Sequence, residues 1–192
     1  MTAPHRDETR ELLKIWRRFR GEKRLPSQND IRMEELEEFL PNLFILDIEA
    51  PDRFILKMMG AAIIPRMGGH DMTGMNMLDL SAPDFRERMV ARVRMIFKFG
   101  YAACTHTRLA SLDGRMKRTE NLMLPVEKIP GGRRQVFGLI RYTDGLDEAA
   151  VHDADFTGIQ ILEESFIDLG SGYAAVIDAG ELPFSAFPGK EE

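Results

Sequence analysis

The reactive side chains in this sequence are few: four histidines, one cysteine and a scatter of carboxylates. His106 and Glu120 are the pair to weigh first, because they flank an Asp113-Gly114 step between two alternating runs. Such a step is a strong hairpin signal. A turn centred on Leu112-Asp113 would set His106 opposite Thr119 and diagonal to Glu120. Together with Asp47, these two are the only plausible acid–base groups for an enzyme. No nucleophile–base–orienter set accompanies them, and no Walker or Rossmann glycine pattern is present. Gly68-Gly69 lacks the Lys-Ser/Thr that a phosphate loop requires. No catalytic residue is assigned, and an enzyme using His106 and Glu120 on an α+β fold is the remote alternative. The pair reads either as a satisfied cross-strand contact or as a polar lining for a cavity.

The other reactive groups suggest less. Cys104 falls on an expected strand and reads as a small buried hydrophobe. As the single cysteine it excludes an intramolecular disulfide and any multi-cysteine zinc or iron–sulfur site. His70 lies among glycines, while His5 and His152 lie in connecting segments; no metal ligand is assigned. Arg88, Arg92 and Arg94 read as a basic face of the long helix, solvated or, as the alternative, turned to an anionic partner or nucleotide. Methionine is abundant, with 12 residues, and Met58, Met59, Met67, Met72, Met75 and Met77 gather near one another. Flexible and polarizable, they suit an adaptable pocket or ordinary core packing.

These residues need elements to position them. Leu12, Ile15, Trp16 and Phe19 recur at helical spacing and predict an amphipathic helix from Asp7 to Arg20. That apolar stripe packs on its own domain or forms the seam of a homodimer, the reading carried forward here. A second short helix is expected over Asp30 to Phe39, then strands Leu43 to Glu49 and Arg53 to Met59. The second strand puts Phe54, Leu56 and Met58 on one face. Glycines and Pro65 break the pattern from Gly60 to Ala82, where short helical turns fit best. A helix then runs from Asp84 to Phe99 with the stripe Phe85, Met89, Val93, Ile96 and Phe97. Three further strands are expected at Tyr101 to Ala110, Arg115 to Val126 and Gln135 to Thr143. Asp144 to Asp155 reads as an acidic linker, Ile159 to Leu169 as a strand or short helix, and the chain beyond Pro183 as frayed.

A chain of 192 residues with 44% hydrophobic and 30% charged residues suits one globular domain with a sizeable core. The net charge of −5 does not point to nucleic acid, and no run is apolar enough for a membrane span. The N-terminus lacks the apolar core of a signal peptide, so a cytoplasmic location is expected. The element order implies an antiparallel sheet with helices across one face and room for a small apolar cavity.

That order, read with particular residues, resembles the PAS superfamily. The similarity is to a bacterial PAS-like family formerly classed as a domain of unknown function. It is carried by Trp16, by Leu25-Pro26-Ser27, and by Leu40-Pro41 leading into Leu43 to Asp47. It continues through Arg53-Phe54 to Gly60, Gly68 to Gly74, and Glu120 to Pro125. The resemblance spans about residues 12 to 143 and implies a regulatory module with no catalytic residues to transfer. It implies an α+β fold with a five-stranded antiparallel sheet, plus an N-terminal amphipathic helix and a C-terminal extension. The expected organisation is 1–29 helix and connector, 30–143 PAS-like domain, and 144–192 linker and extension. The sequence lacks the reactive-cysteine motif of flavin-binding relatives and a histidine on the long helix for haem, so no cofactor is expected.

The function expected is a stand-alone sensory module acting through protein–protein contacts with a signalling protein. A small ligand in the cavity would gate it, and a dedicated small-molecule receptor is the alternative. Ligand-lining residues are expected to be Phe54, Leu56, Met58, His106 and Leu122. Leu12, Ile15, Trp16 and Phe19 are expected at a homodimer interface. Neither nucleic acid nor membrane is an expected partner.

Overall fold

The computed structural model describes residues 4–67, 69–110, 116–127, 133–142, 159–170 and 176–178. Helix α1 (Asp7–Arg20) has Asp7 and Glu8 in its first turn and Arg17, Arg18 and Arg20 in its last, each complementing the helix dipole. Gly21 ends it, its amide reaching the Arg17 and Arg18 carbonyls. The second short helix expected over Asp30 to Phe39 is built from 3-10 segments, Gln28–Asp30 and Met33–Asn42. Pro41 lies inside the second and has no amide to give, and its carbonyl is taken by the Ala62 amide.

Strands β1 (Leu43–Ala50) and β2 (Arg53–Met59) form an antiparallel hairpin. The glycine-rich stretch contains the short 3-10 turn Ile64–Met67 and leads to helix α2 (Pro83–Phe99). Then come β3 (Tyr101–Ala110), β4 (Met116–Val126), β5 (Arg134–Tyr142), β6 (Ile159–Asp168) and β7 (Val176–Asp178). All neighbours pair antiparallel in the order β2-β1-β5-β4-β3-β6-β7.

The sheet is larger than the five strands expected: β6 adds a sixth of full length and β7 a three-residue seventh. The cause is visible in β3. Ala102, Ala103 and Cys104 are fully buried, so an unpaired β3 edge would strand their backbone polar groups away from water. The apolar segment β6 supplies the partner, with Ala103 opposite Phe166 and Thr105 opposite Glu164. The expected acidic linker at 144–155 and the tail beyond 183 lie outside the described residues.

Alternation sends neighbouring side chains to opposite faces of this sheet. On β3, Thr105 and Thr107 face α2, whereas Cys104 and His106 face the α1 side. Helix α1 lies across that second face. The Trp16 ring packs 5.3 Å from that of Phe137, and its indole N–H donates to the Pro125 carbonyl at 3.2 Å. Leu12 and Trp16 are 0% exposed, and Ile15 and Phe19 are 5% exposed. The dimer seam expected on these four residues is therefore corrected: their apolar surface is already consumed by the chain's own core. At about 2 kcal/mol for each buried aliphatic or phenyl side chain, this face contributes substantially to the fold.

Gly60 joins β2 to the glycine-rich turns. A Cβ there would lie 2.3 Å from the Leu40 carbonyl oxygen and 2.4 Å from that of Pro41. Glycine is needed for this close backbone approach, not for a positive φ. Gly74, in contrast, does adopt a positive φ of 89°.

Candidate functional site

Between α2, the glycine-rich turns and one sheet face lies a cavity of about 160 Å³. Its walls are mostly apolar. Met59, Met67, Met72, Met77, Met89 and Met123 contribute thioethers, and Phe44, Leu56, Ile63 and Phe85 fill in around them. Six unbranched, polarizable side chains make a wall that can adapt to an occupant. At one end the phenol of Tyr142 is buried, which raises its pKa, and the Arg66 guanidinium stacks 4.3 Å from its ring.

The polar part of the lining comes from two sources. Thr105, Thr107, Thr119 and Asn121 project from β3 and β4. The Thr107 and Thr119 hydroxyls share a hydrogen bond of 2.5 Å, and Asn121 Nδ2 donates to Thr119 Oγ1 at 3.0 Å. This group is largely self-satisfied. The second source is Arg92 of α2, only 3% exposed. Its Nε donates to Glu164 Oε1 on β6, and Arg88 stands 3.7 Å from the other oxygen of the same carboxylate.

On the opposite face, His106 and Glu120 stand directly across from each other in the β3–β4 ladder. His106 Nε2 is 2.8 Å from Glu120 Oε2. The carboxylate also accepts from the amides of His5 (2.7 Å) and Arg6 (3.3 Å), anchoring the chain just ahead of α1. Burial alone would raise the Glu120 pKa. The His106 ring, the neighbouring Thr9 hydroxyl and these two amides outweigh it and hold the carboxyl at about 2. Donor atoms of His5, His106 and Glu120 lie within 4.8 Å of one another. The two imidazoles are stacked at 4.5 Å, however, so their in-plane lone pairs run side by side instead of converging on one ion. The cluster works as a tether for α1.

Comparison with known families places this geometry. The family model described as PAS domain matches residues 5–141. The chain belongs to the PAS domain family. The match takes in α1, the 3-10 segments, α2, the first four strands and β5 up to Arg141. Domains of this family are generally sensory or regulatory rather than catalytic. No curated protein matches the chain.

Within this PAS domain the residues expected to line the cavity divide sharply. Leu56 lines it. Phe54 is 1% exposed and packs in the core away from the cavity wall. Met58 is displaced by a break in register: Ile45 pairs with Met58 but Leu46 with Leu56, which leaves Lys57 as a bulge. One extra residue reverses the alternation, so Met59 takes the inward position.

His106 and Leu122 are on the α1 face, and their neighbours Thr105, Thr107, Asn121 and Met123 line the cavity instead. Five residues separate Ala110 from its partner Met116, so the pairing runs one residue later than a turn centred on Leu112-Asp113 implies. Asp47 is held by Gln135 Nε2 at 2.7 Å on β1, with β5 and β4 standing between it and β3. The three acid–base groups of the enzymatic alternative are thus not brought together.

Two features of the site escaped the sequence reading. Arg92 was read on a basic face, solvated or turned to an anionic partner, yet it stands three residues after Met89 and four before Ile96, within the apolar stripe. The second is the polar ladder, whose signal was the period-two spacing of Thr105 with Thr107 and Thr119 with Asn121. Cys104 is fully buried, and burial with the nearby Glu120 and Glu163 carboxylates pushes its thiol pKa up.

Proposed function

We propose that this PAS domain is a sensory module that takes a small, largely apolar molecule into the cavity between α2 and the sheet. The observation that carries the reading is the methionine-rich cavity of about 160 Å³ in the middle of the described core. An apolar cavity of this scale accommodates a ligand about the size of one aromatic ring. The occupant would shift the position of α2, and Arg92 ties α2 to β6 through Glu164. Occupancy would thereby bias β6, which pairs with β3 and β7, and through it the contacts made with a signalling partner.

Native mass spectrometry of freshly purified protein, with thermal denaturation in the presence of toluene, tests this. A co-purifying mass lost on denaturation, or a rise in melting temperature with toluene, supports the reading. Absence of both overturns it.

A further inference from the structure

Arg92 is a buried cation whose hydrogen-bonding capacity is mostly unspent. A guanidinium carries five N–H donors in a planar fork. Here Nε is used by Glu164, and Nη1 has only the Met89 sulfur at 3.7 Å, a weak acceptor. Nη2 has no partner although the side chain is 3% exposed. Buried donors in folded proteins are rarely left in that state. Arg92 lines the cavity, and the threonine and asparagine side chains across from it are largely satisfied among themselves. The demand for an acceptor is therefore concentrated at one point of an otherwise apolar wall.

Charge points the same way. Among the described residues Glu164 is the one carboxylate facing both Arg92 and Arg88, so the two guanidiniums share a single negative charge and only Arg92 lines the cavity. Arg88 is 46% exposed and solvated, but Arg92 is not. A planar anion with two oxygens matches the fork of a guanidinium, whereas a phosphate dianion would call for more donors than one arginine supplies.

We infer that the ligand is an apolar monocarboxylic acid, its carboxylate on Arg92 and its ring-sized or short-chain body among the methionines. This rests on the cavity being the ligand site, and the experiment separates the two. The full chain is titrated calorimetrically at pH 7 with phenylacetate, methyl phenylacetate and toluene. The inference expects phenylacetate to bind at least roughly tenfold more tightly than its ester, the gain of a charge-assisted bond after desolvation. Equal binding of acid, ester and hydrocarbon keeps the cavity as the site but overturns the assignment to acids, with water then serving Arg92. No binding by any of the three overturns the cavity reading itself.

In the double variant Arg92→Met/Glu164→Met both charges leave together, so neither is stranded. It should keep toluene binding and lose the preference for the acid. A retained tenfold preference in that variant overturns the role of Arg92. If the variant fails to fold, the acid–ester comparison on the unaltered protein still decides.

Discussion

Replacing Glu120 by glutamine tests whether the buried carboxylate on the outer face anchors α1. Glu120 is 2% exposed and accepts from His106 and from the His5 and Arg6 amides. Folding holds its pKa at about 2, against an ordinary value of 4.5. At about 1.4 kcal/mol per pH unit, that difference amounts to about 3 kcal/mol of stability at neutral pH. The folded pKa is depressed, so this stability is fully present above about pH 5. It is lost as pH falls through the unfolded value towards 2. Other groups near the carboxylate are His5 ahead of α1, Glu163 on β6 beside His106, and Arg141 opposite Glu120 on β5.

Urea unfolding of the wild type and of Glu120→Gln, from pH 7 down to pH 3, isolates the Glu120 contribution. Asp30, Glu49 and Asp71 also have lowered pKa values, but they act equally in both proteins and cancel. The variant should be less stable by about 3 kcal/mol at pH 7, shrinking to roughly half that at pH 3. A difference that stays constant with pH, or one below about 1 kcal/mol at pH 7, would refute the claim that an ionised Glu120 holds the helix.

Two further substitutions probe the packing. In Gly138→Ala the new Cβ would fall 1.9 Å from the Phe44 ring, which lines the cavity, so Phe44 must move. A loss of at least about 2 kcal/mol in urea unfolding is expected, and a near-neutral result would show that Phe44 has room to swing away. Trp16→Ala should cost about 4 kcal/mol, with the same value at protein concentrations a hundredfold apart, because Trp16 is buried within its own chain. A cost that grows with concentration would return Trp16 to a subunit interface.

Legibility in the sequence followed the strength of the local signal. Helix α1 was expected over Asp7 to Arg20 and is found there, because the apolar spacing, the terminal charges and Gly21 all agree. The β1–β2 hairpin and α2 were read nearly to the residue for the same reason. Orientation was harder. Whether His106 or Thr107 points to the cavity depends on a shift of one residue in an odd-length connection, and whether Met58 or Met59 does depends on a bulge at Lys57. Neither leaves a residue-type signature. The side chain types predicted the presence of strands, but the faces were set by pairing partners remote in sequence.

The same distinction explains why α1 was assigned to a dimer seam. An amphipathic stripe specifies that a face must be buried but not against what. In this chain the answer is set by the sheet. Five strands ending at β3 would expose the edge beside Cys104 and leave the Phe137 side of the sheet uncovered. Strand β6 closes the edge and α1 covers the face. With both outer demands met internally, α2 is left to enclose the cavity, and its one buried charge is tied to β6 rather than to the five inner strands. Any movement of α2 on the cavity must therefore work against the Arg92–Glu164 contact, which links the centre of the domain to the strand that lies beyond the family match.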